Sequence, residues 1–142
     1  MVVIIDAGGR LTISLERLWE HLLAHVPDMA KIHPSRSDWK AVMVDDHTVV
    51  GTYTDTTGGK RTPVKIRLTV FPPLGYALEA LEGPLSGSKF FQYFEARRDY
   101  VETTVVGDFQ SPVIPAGQLE KAARDFLESE WLEDQAYLSK KT

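Results

Sequence analysis

The order in which helical and extended patterns follow one another constrains this sequence more than any single motif. An extended and a helical segment come first, about six strand-like segments follow, and an amphipathic helix over residues 115–139 comes last. In the clearest strand, residues 64–70, apolar side chains alternate with polar ones. Short connections between such strands are typical of consecutive antiparallel pairing. The order therefore predicts an α+β fold in which a curved antiparallel sheet of about seven strands wraps around a long C-terminal helix.

The first 35 residues contain signals for a bulged strand and for helix ends. Gly8 and Gly9 interrupt an extended segment, which predicts a bulge or a bend there. Ser14 is a suitable N-cap for the helix that follows. Pro27 disfavours helical geometry at the residue before it, so we predict that this helix ends there. One further helical turn fits before Pro34, which gives two short helices after the first strand.

Length and composition exclude several classes of protein. A chain of 142 residues suits a single domain, which we expect to span residues 1–142. The net charge of −4 argues against a nucleic-acid partner, and the absence of cysteine excludes disulfides and thiolate metal sites. No segment approaches the ~20 apolar residues of a membrane span, and the N-terminus does not fit a secretory signal. We therefore expect a cytoplasmic protein, with its oligomeric state and any transient membrane contact left open.

Three segments resemble a known superfamily once the order of elements is taken into account. Residues 13–19, Ile-Ser-Leu-Glu-Arg-Leu-Trp, are similar to the strand-to-helix junction of START or helix-grip proteins, a group also called SRPBCC. Residues 94–96 and 105–109 are similar to the last hairpin of these proteins. The Gly-Thr that usually follows the last hairpin turn is absent, and residues 99–103 occupy that region. The resemblance covers nearly the whole chain.

Membership of this superfamily implies an apolar cavity between the concave face of the sheet and the last helix. Its members include polyketide cyclase/dehydrase-like proteins, lipid-transfer domains and small coenzyme-Q-binding proteins. Many of them only bind or carry a ligand, whereas some catalyse cyclisation, dehydration or hydrolysis. The fold by itself does not choose between these activities.

Aromatic and apolar side chains on several strands and on the last helix are the best candidates for a ligand site. Ligand pockets are mostly apolar, with a few polar groups that fix the orientation of the ligand. Tyrosines suit that second role because a buried phenol seeks a hydrogen-bond partner. The alternative for each residue is an ordinary filled core. The candidate ligand-binding residues are Trp39, Tyr53, Ile66, Tyr76, Tyr93, Leu119, Ala123 and Phe126.

Two carboxylates interrupt the apolar stripe of the last helix. Glu130 and Asp134 lie four residues apart, and a carboxylate on the inner face of this helix would be desolvated, which raises its pKa. If the helix overhangs the sheet, both groups instead lie in water. Glu79 is a further carboxylate candidate on a strand, whereas Arg67 alternates with apolar residues and is expected on the outer face.

These features support two hypotheses of different classes. The first is binding or transport of a hydrophobic or amphipathic small molecule, such as a lipid, isoprenoid, quinone or polyketide-like compound, without a cofactor. The second is a cyclase, dehydratase or hydrolase on the same scaffold, which would use a buried carboxylate, Glu130 or Glu79, and a tyrosine. An accessory protein whose cavity is filled by its own side chains is a third interpretation.

Two other motifs have ordinary structural explanations. His21 and His25 have the i, i+4 spacing of a metal-binding pair, but they lie towards the polar side of their helix. Because no third ligand stands at a telling position, we interpret them as solvated and predict no metal site. Residues 57–62, Thr-Gly-Gly-Lys-Arg-Thr, lack the spacing of a phosphate loop and are predicted to form a hairpin turn.

Overall fold

The computed structural model describes residues 1–141 of the chain. Thr142, the last residue of the expected domain, lies outside the described residues. In chain order the elements are β1 Val2–Leu11, α1 Leu15–Ile32, β2 Arg36–Asp45, β3 Thr48–Asp55, β4 Thr62–Phe71, β5 Gly75–Glu82, β6 Lys89–Ala96, β7 Val101–Phe109 and α2 Ala116–Lys141. A short 3-10 turn, Thr57–Gly59, connects β3 to β4, as the hairpin prediction for this segment requires.

The seven strands form one open antiparallel sheet. Their order is β1-β7-β6-β5-β4-β3-β2, so that β2 to β7 pair consecutively and β1 pairs with β7. The sheet curves around α2, and β1 and β2 are its two edges. The predicted α+β architecture, with about seven antiparallel strands around a long last helix, is confirmed. No helix among residues 1–141 is long and apolar enough to cross a membrane.

The bulge predicted in the first strand is confirmed. The register of β1 against β7 shifts between Asp6 and Gly9, and Gly8 has a φ of +84° that favours glycine. A Cβ at Gly9 would lie 2.6 Å from the Thr103 hydroxyl and 3.2 Å from the ring of Trp131 on α2. The glycine at this position therefore permits the edge strand and the last helix to approach each other closely.

The first helix differs from the prediction of two separate helices. Ser14 caps it by accepting a hydrogen bond from the Arg17 amide at 3.1 Å, as expected. Pro27 does not end the helix: the chain kinks at Asp28, with φ −120° and ψ 26°, and then continues. The last turn is retained because it buries Met29 and Ile32 in the core. This burial offsets the helical hydrogen bond that Pro27 cannot donate.

Among residues 1–141 the core consists of two apolar clusters, and α2 contributes one buried side chain to each. Ala123 lies in the first, which is built on the middle strands, and Leu138 lies in the second, which joins α1 to β6 and β7. Between these two positions α2 carries Glu130, Glu133 and Asp134 on its inner side. The packing thus leaves a polar stretch of α2 facing the interior of the protein.

Candidate functional site

Three cavities are described below, and the largest of them, which we call the β1 cavity, lies between the bulge of β1 and the middle of α2 and has a volume of about 600 Å³. Gly9 from β1 and Val105 from β7 line one side. Leu127 and Trp131 from α2 line the other. This cavity is the space between sheet and helix that the order of elements predicts.

A second cavity of about 290 Å³, the Tyr53 cavity, lies nearer the β3–β5 side of the sheet. Tyr53, Ile66 and Phe90 form its sheet wall, and Phe126 lines it from α2. The rings of Phe90 and Phe126 meet edge to face at 6.3 Å, a favourable arrangement for an aromatic pair. Three of the predicted ligand residues, Tyr53, Ile66 and Phe126, therefore lie at one cavity.

A third, small pocket of about 50 Å³, which we call the histidine pocket, lies beside the first helix. His21, His25 and Asp134 line it. Tyr76 lines both this pocket and the β1 cavity, whereas Glu130 lines all three spaces. Ile66 lines the histidine pocket and the Tyr53 cavity, so Glu130, Tyr76 and Ile66 are the predicted site residues that border more than one of these spaces.

Three further predicted ligand residues pack in the core and line none of these three spaces. Leu119 and Ala123 are buried on the face of α2 that meets the sheet. Trp39 donates a hydrogen bond from its indole nitrogen to the Val26 carbonyl at 2.7 Å, which ties β2 to α1. Because helical and strand periodicity identifies an inner face but not its cavities, sequence could not separate these residues from Tyr53 and Phe126.

Tyr93 does not belong to the interior. Its side chain is 38% exposed, because on β6 the inward positions are taken by Phe90, Gln92 and Phe94. Successive side chains of a strand point to opposite faces, so a tyrosine next to Phe94 has to point outward. Gln92, which the sequence analysis did not single out, lines the β1 cavity and the histidine pocket in its place.

Glu79 also lies outside the interior. It forms an ion pair of 2.9 Å with Arg67, and both side chains are 43% exposed. The expectation that Arg67 lies on the outer face is confirmed. The pairing of β4 with β5 places these two residues opposite each other, so Glu79 is satisfied at the surface and is not a candidate acid in the cavity.

Glu130 is paired with a buried arginine. The Arg36 guanidinium forms an ion pair with the Glu130 carboxylate and lies over the ring of Tyr53, with 4.7 Å from its central carbon to the ring centre. Arg36 is only 5% exposed although it begins β2 directly after a loop. An arginine between two serines in the sequence resembles an ordinary loop residue, so no local signal identifies it as part of an interior site.

Three histidines and Asp134 form a further group, which we call the histidine–carboxylate cluster. The Nε2 atoms of His21, His25 and His33 lie 2.8, 3.3 and 3.6 Å from Asp134 Oδ1. The prediction that His21 and His25 are solvated is wrong: His21 is 7% exposed and His25 is largely covered. The side of α1 that the sequence pattern indicates to be polar faces α2. Its histidines therefore contact carboxylates of α2 instead of water.

The electrostatics of this cluster favour a neutral His33 and an ionised Asp134. Burial, and next the positive charge of Arg36, lower the pKa of His33 to about 3. Burial acts to raise the pKa of Asp134, but the hydrogen bond from His21 and the neighbouring imidazoles of His25 and His33 outweigh it and hold that pKa well below its usual range. An inner carboxylate of α2 was expected to have a raised pKa, and Asp134 shows the opposite because histidines surround it.

Tyr76 shows the opposite electrostatic effect in the same interior. Burial, with a smaller contribution from the charge of Asp134, raises the pKa of the Tyr76 phenol well above its ordinary value. The phenol therefore remains protonated under ordinary conditions and can donate a hydrogen bond to a ligand in the β1 cavity.

Solved structures with the same architecture are known. No protein-family model matches the sequence, and no curated protein sequence matches it significantly. A START superfamily protein from Mycobacterium smegmatis has a TM-score of 0.79 at 10% identity, with 99% of each chain covered. Ara h 8.0201 has a TM-score of 0.78 at 13% identity, with 97% of this chain and 98% of that one covered. The chain therefore has the same helix-grip fold as these structures.

A helix-grip enzyme is also similar. The ZhuI aromatase/cyclase from Streptomyces sp. R1128 has a TM-score of 0.68 at 14% identity, with 96% of this chain and 87% of that one covered. At such low identity these likenesses establish the fold only, so the function of this helix-grip chain has to be argued from its own cavities and side chains.

Proposed function

We propose that this protein binds a hydrophobic or amphipathic small molecule between the sheet and α2, mainly in the β1 cavity. The observation that carries the proposal is the size of that cavity, about 600 Å³. Small-molecule sites in proteins typically measure roughly 300–1,000 Å³ and are lined by apolar groups with a few polar ones. Burial of apolar ligand surface at about 25 cal/mol per Å² would supply most of the affinity.

The distribution of polar groups around the β1 cavity favours an amphipathic ligand. Val105, Leu127 and Trp131 provide apolar walls within it. Arg10 and Arg124 line the same cavity and are exposed, so they lie at its rim. The carboxylates of Asp6 and Glu128 lie at the same rim. A molecule with an apolar body and a polar end would place the body between the walls and the end at this charged rim.

The fold neighbours are compatible with the same class of ligand. One of the similar structures is a START superfamily protein and another is an aromatase/cyclase. A lipid, isoprenoid or polyketide-like compound fits the size of the cavity.

The experiment is to fill the cavity from the helix side and to measure binding of an amphipathic probe. Leu127 lines the β1 cavity, whereas Leu132 on the same helix is 55% exposed and lines none of the three described spaces. We expect Leu127→Trp to weaken binding of the fluorescent anion 8-anilinonaphthalene-1-sulfonate at least about 10-fold, the effect of roughly 1.4 kcal/mol. Leu132→Trp is the matched control and should bind as the wild type does. Equal weakening in both variants would contradict the proposal.

A second candidate function is an enzyme on the same scaffold. The observation that favours it is that Glu130 and Tyr76 line the same two spaces, so a carboxylate and a protonated phenol flank one interior. If the purified protein releases a small molecule on denaturation, incubating that molecule with fresh protein separates the two functions. An unchanged mass after incubation supports binding alone, and a product that disappears with Glu130→Gln supports catalysis.

A further inference from the structure

The histidine–carboxylate cluster contains three donor atoms whose spacing matches a metal coordination sphere. His25 Nε2 and His33 Nε2 lie 3.2 Å apart, and they lie 3.3 and 3.6 Å from Asp134 Oδ1. A tetrahedral ion with bonds of about 2.0–2.1 Å holds its ligand atoms about 3.3 Å apart. The triangle therefore already has the dimensions of one face of such a site, with no rearrangement of α1 or α2.

The hydrogen bonds of the two imidazoles direct their lone pairs into this triangle. His25 Nδ1 lies 2.9 Å from the His21 carbonyl, which can only accept, so His25 carries its proton on Nδ1. His33 Nδ1 lies 3.4 Å from Glu133 Oε1, which likewise favours a proton on Nδ1. The two Nε2 atoms then face each other and an ionised carboxylate with lone pairs only. Such an arrangement is unfavourable unless a cation or a proton lies between them.

This pattern is the one that metal-binding histidines show. An imidazole that ligates a metal usually donates its other ring N–H to a carbonyl or a carboxylate, which fixes its tautomer and its orientation. His25 has a backbone carbonyl in that role and His33 has Glu133, which is itself held by a hydrogen bond of 3.2 Å from the Ser35 hydroxyl.

His21 has a different role from the other two imidazoles. Its Nδ1 is buried without a hydrogen-bond partner among residues 1–141, and its Nε2 lies 2.8 Å from Asp134 Oδ1. An ionised carboxylate can only accept a hydrogen bond, so the proton belongs on Nε2. His21 therefore donates to Asp134 and holds this carboxylate in place, as a positioning residue.

The charges of the surrounding ion pairs match a divalent ion. Glu130, Glu133 and Asp134 contribute three carboxylates to the contacts around His33, and Arg36 contributes one guanidinium. With neutral imidazoles, this group has an excess of two negative charges. A divalent cation would neutralise it.

From this geometry we propose that His25, His33 and Asp134 bind a divalent first-row transition-metal ion, with His21 and Glu133 as positioning residues. Two imidazoles and a carboxylate suit Zn²⁺ or Fe²⁺, whereas Mg²⁺ and Ca²⁺ prefer ligand sets made of oxygen. The proposal goes beyond ligand binding and does not depend on it.

The site is open on the side of the cavities. The histidine pocket, which His25 and Asp134 line, has a volume of about 50 Å³, enough for at least one water molecule. Asp134 also lines the β1 cavity. The remaining coordination positions of the ion can thus hold exchangeable water, and an oxygen atom of a molecule in the β1 cavity could replace it.

The test uses the full untagged chain, stripped with a chelator and titrated with Co²⁺ and Zn²⁺. We expect one Co²⁺ per chain, with a visible absorption spectrum of bound cobalt, displacement of Co²⁺ by Zn²⁺, and no displacement by excess Mg²⁺. Binding should also raise the unfolding temperature, since a ligand that binds only the folded state stabilises it.

Four single variants separate ligands from positioning residues. His25→Ala and Asp134→Asn should weaken metal binding by more than the roughly 10–100-fold that outer-shell changes cost, and His21→Ala should fall within that range while keeping the shape of the cobalt spectrum. The fourth variant, His47→Ala, is the control because His47 is the remaining histidine of the chain and is exposed in the β2–β3 turn.

Asp134→Asn keeps the size of the side chain and an oxygen that can accept from His21, so it carries the test if a histidine variant fails to fold. Three results would overturn the proposal: no uptake of Co²⁺ or Zn²⁺ by the stripped wild type, equal uptake by a folded Asp134→Asn variant, or loss of uptake in His47→Ala. The first result would mean that a shared proton, and not a metal ion, lies between the imidazoles.

Discussion

The two halves of α2 meet the rest of the protein in different ways. In the N-terminal half, Leu119, Ala123 and Phe126 face the sheet through apolar contacts. In the C-terminal half, Glu130 and Asp134 face inward and are satisfied by charged or polar groups from β2 and α1. The same helix therefore acts as a lid of the core at one end and as a wall of a polar site at the other.

This difference shows that an inner helical face need not be uniformly apolar. Transfer of a charge out of water costs several kcal/mol unless a partner compensates for it, so each inward carboxylate needs a matched partner. Arg36 and the three histidines are those partners. The N-terminal half has no comparable partners in the described contacts, so it should tolerate a charge far less well than the C-terminal half does.

The largest expected effect comes from placing a charge in the apolar half. Ala123 is fully buried, and Ala123→Asp would bury a carboxylate without a cationic partner. We expect a loss of about 3–5 kcal/mol in the free energy of unfolding, the usual cost of an uncompensated buried charge. Urea unfolding measures it, and Ala116→Asp, at the exposed start of the same helix, is the control and should lose nothing. A loss below about 1 kcal/mol in Ala123→Asp would show that this half also has polar partners.

The next effect comes from removing a partner in the polar half. Arg36→Met should leave Glu130 half-buried and unpaired, at a cost of about 3 kcal/mol in the free energy of unfolding. Arg67→Met removes the cation of an exposed ion pair and should cost less than about 1 kcal/mol. In the double variant Arg36→Met/Glu130→Gln, most of the lost free energy of unfolding should be regained, because no charge is then left unpaired. Equal costs for Arg36→Met and Arg67→Met would contradict a buried ion pair.

The sequence was sufficient for the apolar half and for the sheet, because period-two and period-3.6 patterns report which face is buried. These patterns led to the antiparallel strands, the bulge at Gly8 and Gly9, and the apolar face of α2. They could not show which inner residues border empty space, as Leu119 and Phe126 illustrate: both face inward, but only Phe126 lines a described cavity.

The polar half could not be predicted, because its partners come from distant segments. From the sequence alone, His21 and His25 are predicted to be solvated, because the packing of α1 against α2 is not known at that stage. Their partner Asp134 lies 113 residues from His21. His33 and Arg36 flank a loop in the sequence and show no periodicity. Only the tertiary fold brings these side chains together, so patterns within one element contain no signal for the cluster.

The smallest expected effect concerns Tyr76, which packs against both core clusters and so lies between the apolar and the polar half of α2. Burial raises the pKa of its phenol, so the folded protein keeps this proton at a pH where the unfolded chain loses it. The stabilising contribution of Tyr76 is thus present below about pH 10 and is lost as the pH rises above it. We expect about 1.4 kcal/mol less stability per pH unit above that point.

Urea unfolding of the wild type and of Tyr76→Phe between about pH 9 and pH 11 isolates this contribution. The difference in free energy of unfolding between the two proteins should change by about 1.4 kcal/mol per unit above pH 10 and should be constant below it. Because a phenylalanine at this position has no proton to lose, the variant serves as the reference for the other groups that titrate there. A constant difference over the whole range would mean that water reaches the phenol, and the interior between the two halves of α2 would then be hydrated and not dry.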